Sequence, residues 1–300
     1  MGLSRRFLNL IVDSHTAGLK SLRRIDLTHQ RLFYHRTPPP SPKRDGSESG
    51  QITGSRLPAL NMEMIRLTGP GFTFRASASD LNHERRMDCF PLADGKVICA
   101  DQSGRGFLLN AHTRKLETMP ILHKPKVMPI SIFVPKGDID EDILHNGNDS
   151  SLFLMEAMLQ PEAIDTQESE QFVGIIIHKP DENWGDKSWH CHLLPPPPFA
   201  CEPCNWDSNH PQITAYAVVG GGSHVCISVK GIGTYCLDTA SHTWSEVGKW
   251  TLPFHGKVEY VPELKLWFGL SVDAKHLAAA DLSSMDHGLP ATVIGPLEGA

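Results

Sequence analysis

Three things are missing from this sequence, and each removes a class of protein. The first is a basic excess: 28 Lys and Arg stand against 34 Asp and Glu, a formal net charge of −6. Nucleic-acid binding needs Lys and Arg clustered on one face to displace counterions, so no nucleic acid is expected as a partner. The second is a long apolar run, since nothing approaches the roughly 20 residues of a membrane span. The run at residues 7–12 follows Arg5-Arg6 but stops at Asp13. That is short of a secretory signal core of about 7–15 residues, and no small-residue cleavage pattern follows it. Arg6 also stands where a myristoylation signal opening on Gly2 would need Ser or Thr. The expectation is a soluble protein of the cytoplasm or nucleus, not secreted and with no membrane partner. The sequon Asn148-Asp149-Ser150 would then stay unglycosylated.

The third absence is a chemical fingerprint. Nucleophilic hydrolysis needs Ser or Cys beside its base, and no GxSxG elbow exists; Gly220-Gly221-Gly222-Ser223-His224 comes nearest and fails the pattern. Gly231-Ile232-Gly233 lacks the third glycine of a dinucleotide loop and reads as a hairpin turn. Residues 138–142, DIDED, open like a calcium loop, but Ile143 occupies the position that needs glycine. The nearest approach to a metal site is His190-Cys191-His192 followed by Cys201-Glu202-Pro203-Cys204 and His210. It holds a single CxxC, and the prolines at 195–198 keep its halves apart. His190, His192, Cys201 and Cys204 are therefore carried as metal candidates against an expectation of no metal, no cofactor and no catalytic residue. The seven cysteines are an odd number in a long chain, which reads as reduced thiols rather than a secreted disulfide framework.

What is present is ordinary globular composition, 300 residues with 40% apolar and 21% charged, enough for a sizeable core. Residues 6–12 and 21–27 read as two strands around a turn. Residues 37–50, TPPPSPKRDGSESG, hold no apolar side chain and predict a disordered insertion over about 37–57. From Arg86 onward short apolar runs alternate with Gly, Pro, Asn and Asp, and helical periodicity is scarce. Two stretches are copies of one pattern. Gly95 leads residues 96–99 and 106–109, then Asn110, then Leu116. Gly222 leads 223–226 and 235–237, then Asp238, then Trp244. Weaker copies centre on Glu156 and Asp281. Taking Asn110, Glu156, Asp238 and Asp281 as equivalent anchors spaces them by 46, 82 and 43 positions. A unit of 41–46 residues made of strands predicts propeller blades rather than helical solenoids. In such a unit Asn or Asp ends a strand and bonds the amides of the next turn, while Trp packs between blades.

Gly221-Gly222, Tyr235, Asp238 and Trp244 resemble the kelch motif of a double glycine, a Tyr and a Trp that closes the blade. More specifically, residues 5–10, 21–26, 85–88, 194–199 and 250–270 are similar to a plant family of unknown function, expanded in cereal grasses, with a kelch-like propeller expected for its members. The last stretch, WTLPFHGKVEYVPELKLWFGL, is the most specific. The resemblance implies a fold but no reaction, substrate or catalytic residue. Family members continue past the point where residues 294–300 end this chain, which leaves the last blade open to being incomplete.

Residues 1–300 are accordingly expected to form one all-β domain, a kelch-like propeller of roughly five to six blades. Its structural repeat residues are Gly95, Asn110, Gly221, Gly222, Tyr235, Asp238, Trp244, Trp267 and Asp281. The functional expectation is a non-enzymatic interaction module with a protein partner. One alternative is an enzyme or zinc protein using the segment from Cys191 to Cys204; another is a truncated family copy without retained function.

Overall fold

The computed structural model describes residues 6–28, 67–77, 85–135, 150–178, 188–202, 211–273, 276–282 and 292–296. The predicted insertion at 37–57, the acidic run at 138–142, Cys204 and His210 lie outside the described residues. The chain divides into two compact units, Met1–Arg75 and Ala76–Ala300.

The described residues of the first unit form a three-stranded antiparallel sheet, β1 (Phe7–Asp13), β2 (Leu19–Asp26) and β3 (Phe72–Arg75), in that order. Gly18 turns the hairpin at φ 69°, and Arg6 and Arg24 hold their guanidinium groups 4.9 Å from the Phe7 ring centroid. The Arg6 hydrogen bond keeps the Asp26 carboxyl well below the usual carboxylate range.

Among the described residues of the second unit, the strands form four consecutive antiparallel meanders of four. They are β4 (Met87–Pro91), β5 (Lys96–Asp101), β6 (Gly106–Asn110) and β7 (Leu116–Thr118); β8 (Pro129–Val134), β9 (Ser151–Glu156), β10 (Ser169–His178) and β11 (Ser188–Leu194); β12 (Ile213–Val219), β13 (His224–Val229), β14 (Gly233–Asp238) and β15 (Trp244–Gly248); β16 (Phe254–Val261), β17 (Leu266–Ser271), β18 (Leu277–Asp281) and β19 (Thr292–Pro296). The first strands come together: β8 lies beside β4 and β12, and β12 pairs in parallel with β16. Meanders that meet through their first strands are propeller blades, so the strand order itself makes this an all-β, mostly antiparallel propeller unit. Among the described residues no helix is long and apolar enough to cross a membrane.

The second and third blades cannot stand alone, because each packs a neighbouring blade on both faces. Along β9, Leu152 and Leu154 pack toward the first blade while Phe153 and Met155 pack toward the third. Along β13, Val225, Ile227 and Val229 face the second blade and Cys226 faces the fourth. Period-2 side chains buried both ways write an unbroken apolar run, which is why these strands show no polar alternation in sequence.

The repeat is most exact in its turns. Asn110 Oδ1 accepts from the amides of His112 and Thr113 at 2.9 and 3.1 Å, and Asp238 Oδ1 accepts from those of Ala240 and Ser241 at 2.9 and 2.7 Å. Arg114 and His242 then hold equivalent positive φ values of 59° and 56°. Asp94 and Gly95, both at positive φ, make the tight β4–β5 hairpin, with Lys96 N–H donating to the Ala93 carbonyl at 3.2 Å. The bonds from Ser241 and Ala240 hold the Asp238 carboxyl below its ordinary value. Its stabilisation is therefore complete above the unfolded value of about 3.9 and fades as acid protonates the folded carboxylate. Asp238→Ala is expected to cost about 1 kcal/mol at pH 7 and to lose that deficit as the pH falls below 4, as measured by urea unfolding.

Two expectations are corrected. Glu156 is not equivalent to Asn110 and Asp238: it ends β9, the second strand of its blade, whereas Asn110, Asp238 and Asp281 end third strands. The spacing of anchors was therefore read across different strands, and the second blade carries longer connections than its neighbours. The cysteines are also not all reduced, since Cys226 and Cys236 are joined by a disulfide. They face each other directly across β13 and β14, a relation fixed by register that cysteine parity does not reveal.

Candidate functional site

The parallel pairing of β12 with β16 matches Ala215, Tyr216 and Ala217 to Gly256, Lys257 and Val258. Beyond it, β12 runs on to Val219 beside β8, and a groove of about 550 Å³ opens among the three first strands. Its apolar wall includes Phe133, Val218, Tyr260 and Trp267. Its rim is the turn from Gly220 to Gly222, with φ values of 59°, 64° and 107°. A Cβ on Gly222 would stand 3.2 Å from Val134 Cγ1, so the glycine lets this turn close against the end of β8.

The groove's polar groups are few. Lys257 and Glu259, two positions apart on β16, form an ion pair. Burial pushes the Tyr216 phenol up, and the Glu259 charge adds to it. Tyr260 and Trp267 face each other across β16 and β17, ring centroids 4.4 Å apart. Tyr260 is 43% exposed. The Trp267 indole Nε1 is buried and has no hydrogen-bond acceptor. A buried donor left unpaired costs about 1–3 kcal/mol, and an incoming carbonyl oxygen would relieve it.

A second polar cluster lies between the first two blades. Lys126 is 1% exposed, and its Nζ donates to the carbonyl oxygens of Lys124, at 3.0 Å, and Glu170. Burial pushes its amine down to about 8, against the opposing pull of Glu156. Glu156 is 2% exposed, and its Oε1 has no hydrogen-bond partner. The Arg86 guanidinium donates to the Lys126 carbonyl and pairs with Asp88 at 2.9 Å. These groups clamp the segment between β7 and β8 to β9 and β10.

A family model described as a protein of unknown function, DUF1668, matches residues 5–298. The chain belongs to the DUF1668 family. No curated protein matches this family member. Among solved structures it is similar to the Cps50 (Swd1) β-propeller domain of Myceliophteria thermophila, at 8% identity and a TM-score of 0.41, covering 96% of this chain and 74% of that one. It is also similar to BBS1N in complex with ARL6DN, at 12% identity and a TM-score of 0.31, covering 70% of this chain and 51% of that one. A third is the tricorn protease, at 8% identity and a TM-score of 0.26, covering 75% and 27%.

Of the residues singled out in the sequence, Gly221, Gly222 and Trp267 meet at the groove. The others are placed elsewhere. Tyr235 is 1% exposed, its ring 5.1 Å from Phe199. Trp244 reaches from the third blade to the second, donating to the Pro195 carbonyl at 3.0 Å with its ring 5.7 Å from Phe172. Gly95, Asn110 and Asp238 shape turns, and Asp281 ends β18.

His190 and His192 alternate on β11 with rings stacked at 6.0 Å, while Cys191 packs toward the core between the first two blades. Burial pushes the thiols of Cys191 and Cys201 up. Among the described residues no group of three or more His, Cys, Asp and Glu stands where it could hold a metal.

His192 instead acts on His242, whose imidazole is held below 6.5 by burial first and then by His192, against an opposing pull from Asp238. Protonating His242 therefore costs folded-state stability as the pH falls through about 6.5. His242→Asn, a residue that tolerates the positive φ, is expected to reduce the loss of stability between pH 7 and pH 5, read from denaturation midpoints. An equal loss in both proteins would remove His242 as the source.

The fold also assembles residues that the motif search set aside. Ser223 Oγ lies 2.8 Å from His224 Nδ1, and His224 Nε2 lies 3.8 Å from Asp238 Oδ2. These are the residue types of a nucleophile relay, but the His224 and Asp238 side chains are 42% and 38% exposed, and Asp238 is committed to its turn. Sequence reasoning missed Tyr216, Lys257, Glu259 and Tyr260. A hairpin signal around residues 261–265 pairs Tyr260 with Trp267, but nothing local brings β12 beside β16.

Proposed function

We propose that the chain is a non-enzymatic protein-interaction module, a kelch-like propeller of five to six blades whose first-strand groove receives a segment of a protein partner. The observation that carries this reading is a groove lined by Trp267, whose buried indole N–H has no acceptor, beside half-exposed Tyr260. Tyr and Trp supply large contact area at low entropic cost and dominate protein-binding hot spots. A groove of this size, mostly apolar with a few polar groups, suits an apolar side chain whose backbone carbonyl reaches the indole. The Lys257–Glu259 pair at its edge offers both signs of charge to flanking residues.

The test is capture of partners by tagged protein, comparing wild type with Trp267→Phe, which keeps the ring and removes the donor, and with Tyr260→Ser at the rim. A partner held by wild type and lost at least tenfold by Trp267→Phe supports the reading. Binding that ignores both substitutions moves the interface elsewhere. Failure of folded wild-type protein to retain any reproducible partner refutes the interaction role.

A further inference from the structure

Cys89 and Cys99 face each other across β4 and β5, with their sulfur atoms 3.4 Å apart. The register explains the proximity. Leu92 N–H donates to the Lys96 carbonyl, and hydrogen-bonded pairs alternate along an antiparallel ladder, so Cys89 and Cys99 occupy a non-hydrogen-bonded pair, where facing side chains approach most closely. Cys226 and Cys236 occupy the same kind of pair: Thr239 N–H donates to the Ser223 carbonyl, and alternation leaves 226 opposite 236 without a ladder bond.

The two pairs also share a repeat position. Cys99 and Cys226 each lie four residues after the glycine that leads the second strand, Gly95 and Gly222. Cys99 then faces the first strand of its blade, whereas Cys226 faces the third. Accessibility separates them. Cys226 and Cys236 are 0% and 6% exposed. In the first blade Cys99 is sealed, but Cys89 is only partly buried and can be reached from solvent.

We propose that Cys89 and Cys99 are a redox modification site, a second cross-strand disulfide formed and broken by exchange with a low-molecular-weight disulfide of the glutathione type. The Cys89 thiolate attacks one sulfur of the oxidised tripeptide, breaking its S–S bond and expelling one glutathione thiolate. Cys99 then attacks the Cys89 sulfur of the mixed disulfide, 3.4 Å away in the starting geometry, and expels the second. Two protein thiols are oxidised, one glutathione disulfide is reduced to two thiols, and the two protein protons leave on them. Cys226–Cys236, enclosed between blades, keeps its bond through the same cycle.

The experiment equilibrates native protein in buffers of increasing oxidised-to-reduced glutathione ratio, quenches in acid, alkylates free thiols and digests with trypsin. Cleavage after Arg86, Lys96 and Arg105 places the two cysteines on separate peptides, residues 87–96 and 97–105. The expected product is those peptides joined, two hydrogens lighter than their sum. It should appear as the ratio rises and vanish on return to reducing buffer, with Cys191 and Cys201 still alkylated. Cys89→Ser, at the half-buried position, should abolish the link. It should also abolish the rise in thermal midpoint that oxidation gives wild type, with circular dichroism showing the sheet retained. Full alkylation of both cysteines at the most oxidising ratio would overturn the proposal. So would a Cys89–glutathione adduct that never resolves, or a link that forms only in denaturant.

Discussion

Lys126→Met is expected to lower the unfolding free energy by about 3–5 kcal/mol, because it removes a buried ammonium group and leaves Glu156, buried near it, without that counter-charge. Lys126 is sealed from water, and its Nζ is solvated by the carbonyls of Lys124 and Glu170. Glu156, equally sealed, has an oxygen without a hydrogen-bond partner, and its charge opposes the downward push of burial on the lysine amine. Methionine fills similar volume, so the loss measures charge rather than packing. Lys126→Met/Glu156→Leu is expected to recover most of it, because the stranded carboxylate is removed with its partner. Chemical denaturation of the four proteins in this cycle gives the coupling directly. A single-mutant loss below about 1 kcal/mol would mean that water reaches Glu156 and that the two side chains act independently.

Phe254→Ala should cost about as much, about 3–5 kcal/mol, by a different mechanism. Phe254 is fully buried in the cluster between the third and fourth blades. Its ring lies over Gly269, where a Cβ would meet Phe254 Cδ1 at 2.8 Å and its Cγ at 3.1 Å. The contact is ring against backbone, so neither side can yield easily, and truncation leaves a cavity that β16 and β17 cannot collapse around. The reverse change is informative too. Gly269→Val in the wild-type background is expected to cost about 1–3 kcal/mol through overpacking, and less in Phe254→Ala, where the ring that opposes it is gone. Equal costs in both backgrounds, measured by urea unfolding, would show that Gly269 is not packed under Phe254.

The turns were legible because their chemistry is local. Asn110 and Asp238 bond amides two and three positions ahead, so residue type and spacing carry the whole interaction. Strand identity was legible for the same reason, in short apolar runs set between Gly, Pro and Asx. Ordinal position within a blade was not. Glu156 and Asp238 both follow an apolar run, and only pairing across long connections shows that one ends a second strand and the other a third. The cysteines show the same limit: counting seven of them says nothing about which two face each other, whereas a one-residue slip in register would separate either pair.

The groove marks the boundary most clearly. Trp267 was singled out as a packing residue and Gly221-Gly222 as repeat glycines. Their meeting depends on the parallel alignment of Tyr216 with Lys257, which are far apart in the chain. By itself the sequence determined an all-β chain of short repeated hairpins, because strand period, turn residues and glycine placement act over a few positions. Only the tertiary structure decided which faces are shared between blades, which cysteines touch and where a binding surface opens. Those outcomes are set by contacts between residues that no spacing rule connects.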